Sequence, residues 1–309
     1  MKRYFFAIFT IFLFLIMLIF PEEVFQGASR GLLLWFDTVL PTLLPFLIIV
    51  NVMLRTNLII HISRIFYPVL GRFLQISPNG CFAVLAGFLC GYPMGAKVTA
   101  DLVRDNRISP EEGAYLLSFC NNTSPGFTAG YVVCRTLGDP SLVFCSLSIL
   151  FLVPLLLSFG FRKLYNGRCI QRNSTIRSSK SGRLSLDVLD LSIMDGFETI
   201  TKIGGYIIVF SVLTELLLHL PCSRTLLGML LLSFLEITNG TKMLESLPCS
   251  FQTRYTLIMG LCAFGGFCAS AQTNSMLSGS GLRIGPYITE KLAAAAAASL
   301  LAFLYIQIT

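Results

Sequence analysis

Charge is what this chain has least of. Only 13% of its 309 residues are Asp, Glu, Lys or Arg, about half the share of a soluble globular domain. It has just two histidines, His61 and His219, set far apart, and its ten cysteines include no Cys-x-x-Cys spacing. These scarcities exclude a zinc site. Six of the cysteines (Cys81, Cys90, Cys120, Cys145, Cys262, Cys268) lie in apolar segments, where a thiol behaves as a small hydrophobe rather than half of a disulfide framework. There is no P-loop and no His-Glu-x-x-His, and "GSGLRIG" at 279–285 is not a dinucleotide fingerprint. No nucleophile stands at working distance from a base, so an enzyme is not expected, nor a metal or any other cofactor.

Acids are also missing where the cations gather. Arg162, Lys163, Arg168, Arg172, Arg177, Lys180 and Arg183 share one polar stretch without a single Asp or Glu. Such a run could bind nucleic acid. Flanked by apolar spans it reads instead as a cytoplasmic loop, and no nucleic-acid partner is expected.

What the chain does have is apolar length. Hydrophobic residues make up 54%, and mean hydropathy is +0.75. A bilayer core needs about 20 apolar residues in helix. Residues 4–20, 31–54, 140–161, 196–220 and 286–308 meet that length. The first follows Lys2 and Arg3 and reads as an uncleaved anchor with those cations inside; a cleaved signal, with the small polar "QGAS" at 26–29 after it, is the alternative. Residues 57–78 carry His61, Arg64 and Arg72 and suggest an interfacial or tilted helix. Residues 79–100, 112–134 and 225–278 are apolar but broken by glycine-rich polar patches. One crossing for each segment gives about ten crossings and an inside C-terminus. The count changes if 57–78 lies on the surface or the broken segments are re-entrant.

The patches recur in order. "FDT" at 36–38 matches "FET" at 197–199. "GFLCGYPMGAK" at 87–97 matches "SFLEITNGTK" at 233–242. "SFCNNTSPGF" at 118–127 matches "GFCASAQTNSM" at 266–276, and "GDPSL" at 138–142 matches "GPYIT" at 285–289. Shared apolar composition explains the helices but not the ordered polar patches. The fold class expected is therefore an all-α integral membrane protein: a polytopic bundle with two internal repeats and broken or re-entrant helices. Its parts are an anchor (1–30), a first repeat (31–161), a basic linker (162–195) and a second repeat (196–309).

Broken helix in hydrocarbon is tolerated only where it is buried in protein or lines a cavity. Paired interruptions in two halves point to a transporter's midplane site. Gly91 and Gly95 unwind the first patch, and Lys97 brings a charge that costs about 2.5 kcal/mol or more at bilayer depth. Asn239 and Lys242 do the same in the second. Asn121, Asn122, Thr123 and Ser124, with Gln272, Thr273, Asn274 and Ser275, offer neutral donors and acceptors. Lysines, amides and half-helix N-termini suit a small carboxylate or a hydroxylated ring. Glu236 is a candidate for a coupling proton or sodium, with Asp37 and Glu198 behind it. Plainer readings exist for each. Lys97 and Lys242 could snorkel beside Asp101 and Glu245, Glu198 could pair with Lys202 at i+4, and the Asn121–Ser124 run could be a structural break. "AAAAAA" at 293–298 is most simply a helix-packing face. Ser109 and Pro110, with Glu112 three residues on from Ser109, read as a capping box opening a helix.

Through "GFLCGYPMGAK", "LLSFCNNTSPGF" and "GGFCASAQTNSM" the chain, from about residue 31 to 309, resembles the YlbJ (SpoVV) family of sporulation integral membrane proteins, which carries the nucleoside-recognition or Gate domain. The resemblance implies transport of dipicolinic acid across the outer forespore membrane. Gate-domain relatives imply nucleoside or other solute permeases as the alternative. A non-transporting membrane assembly protein, docking a partner or anionic lipid through its basic loop, is the reading from a different class. Partners expected are a small anion, membrane lipid and a coupling proton or sodium, with a homo-oligomer left open.

Overall fold

The computed structural model describes residues 2–165, 185–219, 223 and 225–308. All regular structure among the described residues is helical. The helix α1 (Lys2–Ile19) precedes a rod made of α2 (Pro21–Leu34), a π-helical stretch (Trp35–Val39) and α3 (Leu40–Arg55). The rod is continuous for 35 residues, so it begins ten residues before the expected start at 31 and is longer than hydrocarbon alone requires.

Residues 57–100 do not make two crossings. The amphipathic helix α4 (Ile59–Leu74) turns by 93° into α5 (Pro78–Cys90). At 13 residues, α5 is about 20 Å long, too short for a hydrocarbon core of about 30 Å. The chain reverses at Gly91–Pro93 and returns as α6 (Met94–Arg104) packed along α5. This is a re-entrant hairpin. Next come α7 (Pro110–Cys120), a non-helical break at 121–124, a π-helix (Phe127–Leu137) and the long α8 (Val143–Leu164).

The second half follows the same order. It comprises the rod α9 (Leu186–Leu218), a short hairpin of α10 (Leu226–Ser233) and α11 (Ile237–Glu245), a broken helix of α12 (Phe251–Phe264) and α13 (Gly266–Met276), and the long α14 (Ile284–Ile308). Among the described residues, five stretches are long and apolar enough to span a membrane, six if α4 and α5 are joined. α9 starts at Leu186, inside the segment expected to be linker. Arg168, Arg172, Arg177, Lys180 and Arg183 lie outside the described residues.

Caps set the hairpin ends. Ser77 Oγ accepts the Gly80 N–H (3.1 Å) at the start of α5, and Ser109 Oγ accepts the Glu112 N–H (3.1 Å) at the start of α7. The expected capping box is only half made. Glu112 Oε1 instead accepts the Ser77 N–H at 2.7 Å and so ties α7 to α5.

The two hairpins dip from opposite faces. Arg104, at the outer end of α6, donates to the carbonyls of Met276 and Ser278, at the outer end of α13. On the other side, Tyr131 of the π-helix donates to the Thr238 carbonyl of α11 (3.1 Å), and Lys242 lies over the Tyr131 ring. The Arg104 face also carries Arg107 and the Arg55–Asp195 ion pair. With Arg162 and Lys163 in the last turn of α8, these cations put it on the side that the positive-inside rule makes cytoplasmic. Because α14 starts beside Ser278 on that face and runs unbroken for 25 residues, the described chain ends on the opposite face. The hairpin accounts for the difference from the expected inside C-terminus.

Phe46, Ile49, Phe144, Leu156, Phe197 and Leu300 are all more than 45% exposed. Such a belt is disfavoured against water and neutral against acyl chains. This is a multi-pass membrane protein.

Candidate functional site

Four interruptions of helix meet at the centre. Gly91, at the first hairpin tip, has φ +88°, and a Cβ there would stand 2.8 Å from the Ser124 backbone nitrogen. That tip therefore sits on the first break. Tyr92 donates its hydroxyl to the Ala263 carbonyl (3.1 Å), two residues before the second break at Gly265. Phe267 and Cys268 N–H groups donate to the Phe234 and Leu235 carbonyls, both at 2.8 Å, so the second tip sits on the second break. Backbone groups freed by the breaks thus pair across the two halves, as burial demands.

These interruptions close one side of a cavity of about 120 Å³. A single water needs about 10–15 Å³ on this measure, so the space admits a small solute. The opposite wall is the rod, through Leu34, Thr38, Val39, Thr42 and Leu43, and α9, through Ile203 and Ile207. The π-helical stretch lies within that rod segment, and the extra residue in its turn re-aims the side chains that follow. Hydrogen-bonding groups come from Thr38, Thr42, Tyr92, Thr123, Ser124, Thr238 and Gln272; among the described residues, Glu236 is the one carboxylate in the lining, and no Lys or Arg joins it. Both Glu236 oxygens are held: Oε1 accepts the Thr238 N–H (2.9 Å) and Oε2 the Asn239 N–H (2.8 Å), capping α11. Ser124 caps the π-helix at Phe127 N (3.2 Å). The cavity continues into a larger cleft of about 520 Å³, sharing Thr38, Thr42, Leu43, Cys90, Ser124 and Phe127 with it.

The sequence-derived candidates divide. Gly91, Thr123, Ser124, Glu236 and Gln272 line the cavity. Asn121 is fully buried behind it. Its two amide hydrogens go to Thr273 Oγ1 and the Tyr287 hydroxyl, both at 2.9 Å, and its Oδ1 accepts Ala96 N–H at 3.3 Å. Every hydrogen of that amide, and one oxygen lone pair, is spent on fixing the first break to α13, α14 and α6. Asn122 donates to the Phe119 carbonyl (2.8 Å). Thr273 is the acceptor for Asn121, and Gly95 lets α6 approach the Cys120 carbonyl.

The remaining candidates face elsewhere. Lys97 points to a polar cleft on the Arg104 face, where it donates to Asn51 Oδ1 (3.1 Å) and Asp101 Oδ2 (2.9 Å); Ser275 lines the same cleft. Asn239 reaches Ser211 Oγ at 3.5 Å. Lys242 and Asn274 are exposed. Asp37 is exposed within the π-helical stretch, and Glu198 pairs with Lys202 at 2.6 Å on the surface. The second break falls at Gly265–Gly266, so Gln272–Ser275 lies on intact α13 rather than in the break.

One residue escaped sequence reasoning. Lys291, on α14, is 1% exposed. Its ammonium donates to the Asn121 carbonyl (3.0 Å) and Asn122 Oδ1 (3.1 Å) and stands 5.0 Å from the centroid of the Tyr92 ring. It therefore holds the first break from behind while touching, through Tyr92, the wall of the cavity. Among the described residues no carboxylate bonds to it. The signal was present: a Glu-Lys pair, residues 290 and 291, inside an otherwise apolar span, where ionisable residues are rare and usually functional.

No family model matches the chain, and no solved structure matches it. Among curated proteins, it is 27% identical over a 319-residue alignment to the sporulation integral membrane protein YlbJ of Bacillus subtilis (strain 168), covering 93% of this chain and 78% of the relative. That likeness runs over nearly the whole chain, and the helical membrane architecture just described agrees with it: the chain is similar to a sporulation integral membrane protein.

Proposed function

We propose that this protein is a secondary transporter acting in sporulation, and that it carries a small organic anion, dipicolinic acid foremost, through the cavity between its two broken halves in the outer forespore membrane. One observation carries the reading: both hairpin tips, the first helix break and the start of α13 just past the second border the same solute-sized space. A fold with no cargo has no need to bury four interruptions around a void, because each freed backbone group must find a partner at membrane depth.

The chemistry of the wall fits a planar acid with ring and carboxylate acceptors. The N-termini of α6, α11, α13 and the π-helix after the first break converge on the region, each with a partial positive charge of about half a unit. Hydroxyls and the Gln272 amide give orientation. Glu236, the lone carboxylate in the lining, is the coupling group for a proton or sodium. A specific feature favours a second reading, a nucleoside or similar neutral solute: the wall has no Lys or Arg. Both readings use the same residues, so labelled solutes must separate them.

In proteoliposomes, dipicolinate uptake should exceed uridine uptake. Gln272→Leu and Thr123→Val should each lower it about tenfold, the loss of one or two hydrogen bonds to bound solute. Asn274→Ala, on the exposed side of α13, should match wild type. Uptake no faster than in empty liposomes would end the transport reading, and uridine preference would transfer it to the second.

Glu236→Gln keeps the shape of the second tip and an acceptor for α11 but removes the charge. It should leave solute exchange at equal concentrations intact while abolishing accumulation driven by a proton or sodium gradient. Undiminished gradient-driven accumulation in this variant would take coupling away from Glu236. A scaffold without flux would show a different ranking, with neutralisation of Arg162 to Arg183 more harmful than any cavity substitution.

A further inference from the structure

The central cavity is joined to one face of the protein and walled off from the other. Toward the face opposite Arg104 it runs into the cleft of about 520 Å³, which extends from Ser124 to Arg135 near the outer end of the π-helix. Toward the Arg104 face stands the polar cleft that Lys97 lines, about 280 Å³, and it shares no lining residue with the cavity among those described. The wall between them is thin. On α13, Gln272 lines the cavity and Met276 the polar cleft; on α9, Ile203 lines the cavity and Thr199 the polar cleft. Each pair is four residues apart, about 6 Å along a helix. On the first hairpin the step from Tyr92 to Lys97 is nearly as short. Three elements from both halves therefore build both spaces, with about one helical turn between them. Met94, Val98, Ile200 and Met276, on the same three elements, belong to one buried apolar cluster, a wall that a charged solute does not cross.

A polar belt holds this wall shut from the cytoplasmic side. Arg104, the last residue of α6, donates to the Met276 (3.3 Å) and Ser278 (2.6 Å) carbonyls at the end of α13. A helix C-terminus carries partial negative charge, so a cation is favoured there. The same guanidinium pairs with Asp101 Oδ1, and Asp101 Oδ2 accepts from Lys97 at 2.9 Å. Lys97 also donates to Asn51 Oδ1 on α3 (3.1 Å), and Asn51 donates to the Ser192 carbonyl of α9 (3.3 Å). The belt thus runs from α13 through α6 and α3 to α9 and crosses between the halves twice. Deeper than Arg104, α6 meets the second half through small side chains: Ala96 and Ala100 share a buried apolar cluster with Leu277 and Tyr287. Ala96 and Ala100 carry no polar side-chain group that parting would strand. We propose that Arg104, held in place by Asp101 and Lys97, is the latch of a gate between the cavity and the cytoplasm, and that this conformation is the one closed to the cytoplasm and open to the opposite face. Release of Arg104 from the α13 carbonyls frees the outer arm of the first hairpin to swing off α13 and joins the polar cleft to the cavity. Rocking of one repeat against the other around a fixed site is how such two-repeat folds alternate their access. The gate rests on the transport reading for its purpose, and its test needs no flux.

The test labels the native Cys90, which lines both the cavity and the 520 Å³ cleft. A membrane-impermeant, charged maleimide is applied to sealed vesicles of each orientation, and the Cys90 peptide is read by mass spectrometry. Wild type should be labelled from the face opposite Arg104 and far more slowly from the cytoplasmic face. Arg104→Gln removes charge-assisted hydrogen bonds, one of which is enough to shift an equilibrium about tenfold. Cytoplasmic labelling should therefore rise about tenfold while labelling from the opposite face falls. Asp101→Asn, which unseats the guanidinium without removing it, should move both rates the same way by less. Lys202→Gln is the control. Lys202 lines the same polar cleft but pairs with Glu198 on its own helix, so both rates should stay at wild-type values. Equal labelling of wild type from both faces, unchanged rates in Arg104→Gln, or an equal shift in Lys202→Gln overturns the gate. So does a rise from both faces, which would mean a loosened fold. If no protein carries dipicolinate and the opposed changes remain, the transport reading falls and the gate stands. Flux without opposed changes keeps transport and removes the gate.

Discussion

Lys291→Met should cost the protein more than the loss of any other polar group at its centre. The substitution keeps the stem's apolar contacts and removes the ammonium. It strands the Asn121 carbonyl and Asn122 Oδ1, which that ammonium reaches at 3.0 and 3.1 Å. A buried acceptor left without a donor costs about 1–3 kcal/mol, so about 3 kcal/mol is expected for the two. For a chain of this size that corresponds to a fall of about 5–10 °C in the unfolding midpoint in detergent. Dipicolinate uptake should fall further than stability explains, because the first break then loses its anchor and the Tyr92 ring loses the cation at 5.0 Å. Lys291→Gln, which retains an N–H donor on a shorter stem, should recover part of the midpoint and little of the uptake. A Met variant with wild-type midpoint and uptake would show that Lys291 neither anchors the break nor serves the cavity.

The coarse architecture was legible because membrane spans and glycine-rich breaks are written in composition. Gly91 and the Asn121–Ser124 run mark where helix cannot continue in hydrocarbon, and both mark an interruption, whereas the second break falls at Gly265–Gly266, ahead of the polar run read from the sequence. The depth of each segment was not legible. Residues 79–100 have the apolar length of one span, and only the return of α6 along α5 reveals a hairpin. Lysines were misleading for a related reason. Lys97 and Lys242 stand beside glycine breaks in the sequence, yet each lies on the outward arm of its hairpin, where the next turn of helix carries the side chain away from the tip. Lys291 stands in an unbroken helix and reaches the first break from across the bundle, a juxtaposition 170 residues apart in the chain. The rod packing had a readable sign of its own. Gly27 and Gly31 have small-x-x-x-small spacing, and Cβ atoms there would stand 2.7 and 2.8 Å from the Cα atoms of Val212 and Ile208 on α9.

Gly87→Ala should prevent the protein from assembling, although it adds one methyl group inside a helix that alanine favours. A Cβ at residue 87 would stand 1.7 Å from the Cys120 carbonyl oxygen, 2.8 Å from its carbon and 3.0 Å from Gly95 Cα. All three are backbone atoms, so no side chain can turn aside. Cys120 is the last residue of α7 before the break, and its carbonyl is clasped between Gly87 of α5 and Gly95 of α6, where a Cβ would be 2.4 Å away. Relief requires the whole hairpin to move off the broken helix, which takes Gly91 away from Ser124 and opens the cavity wall. Overpacking of a rigid core costs about 1–3 kcal/mol even when side chains can adjust, and here they cannot. The expected result is loss of folded protein from the membrane fraction, read by monodispersity in detergent. Gly205→Ala supplies the contrast. It lies in α9 with nothing within 4 Å of the added methyl, and helix propensity alone predicts a gain of up to about 1 kcal/mol. Two glycine-to-alanine changes in helices, with opposite signs, would show that the hairpin is held by backbone contact with the broken helix. Equal tolerance of both would mean that α5, α6 and α7 do not close on the Cys120 carbonyl, and the cavity would have no wall on that side.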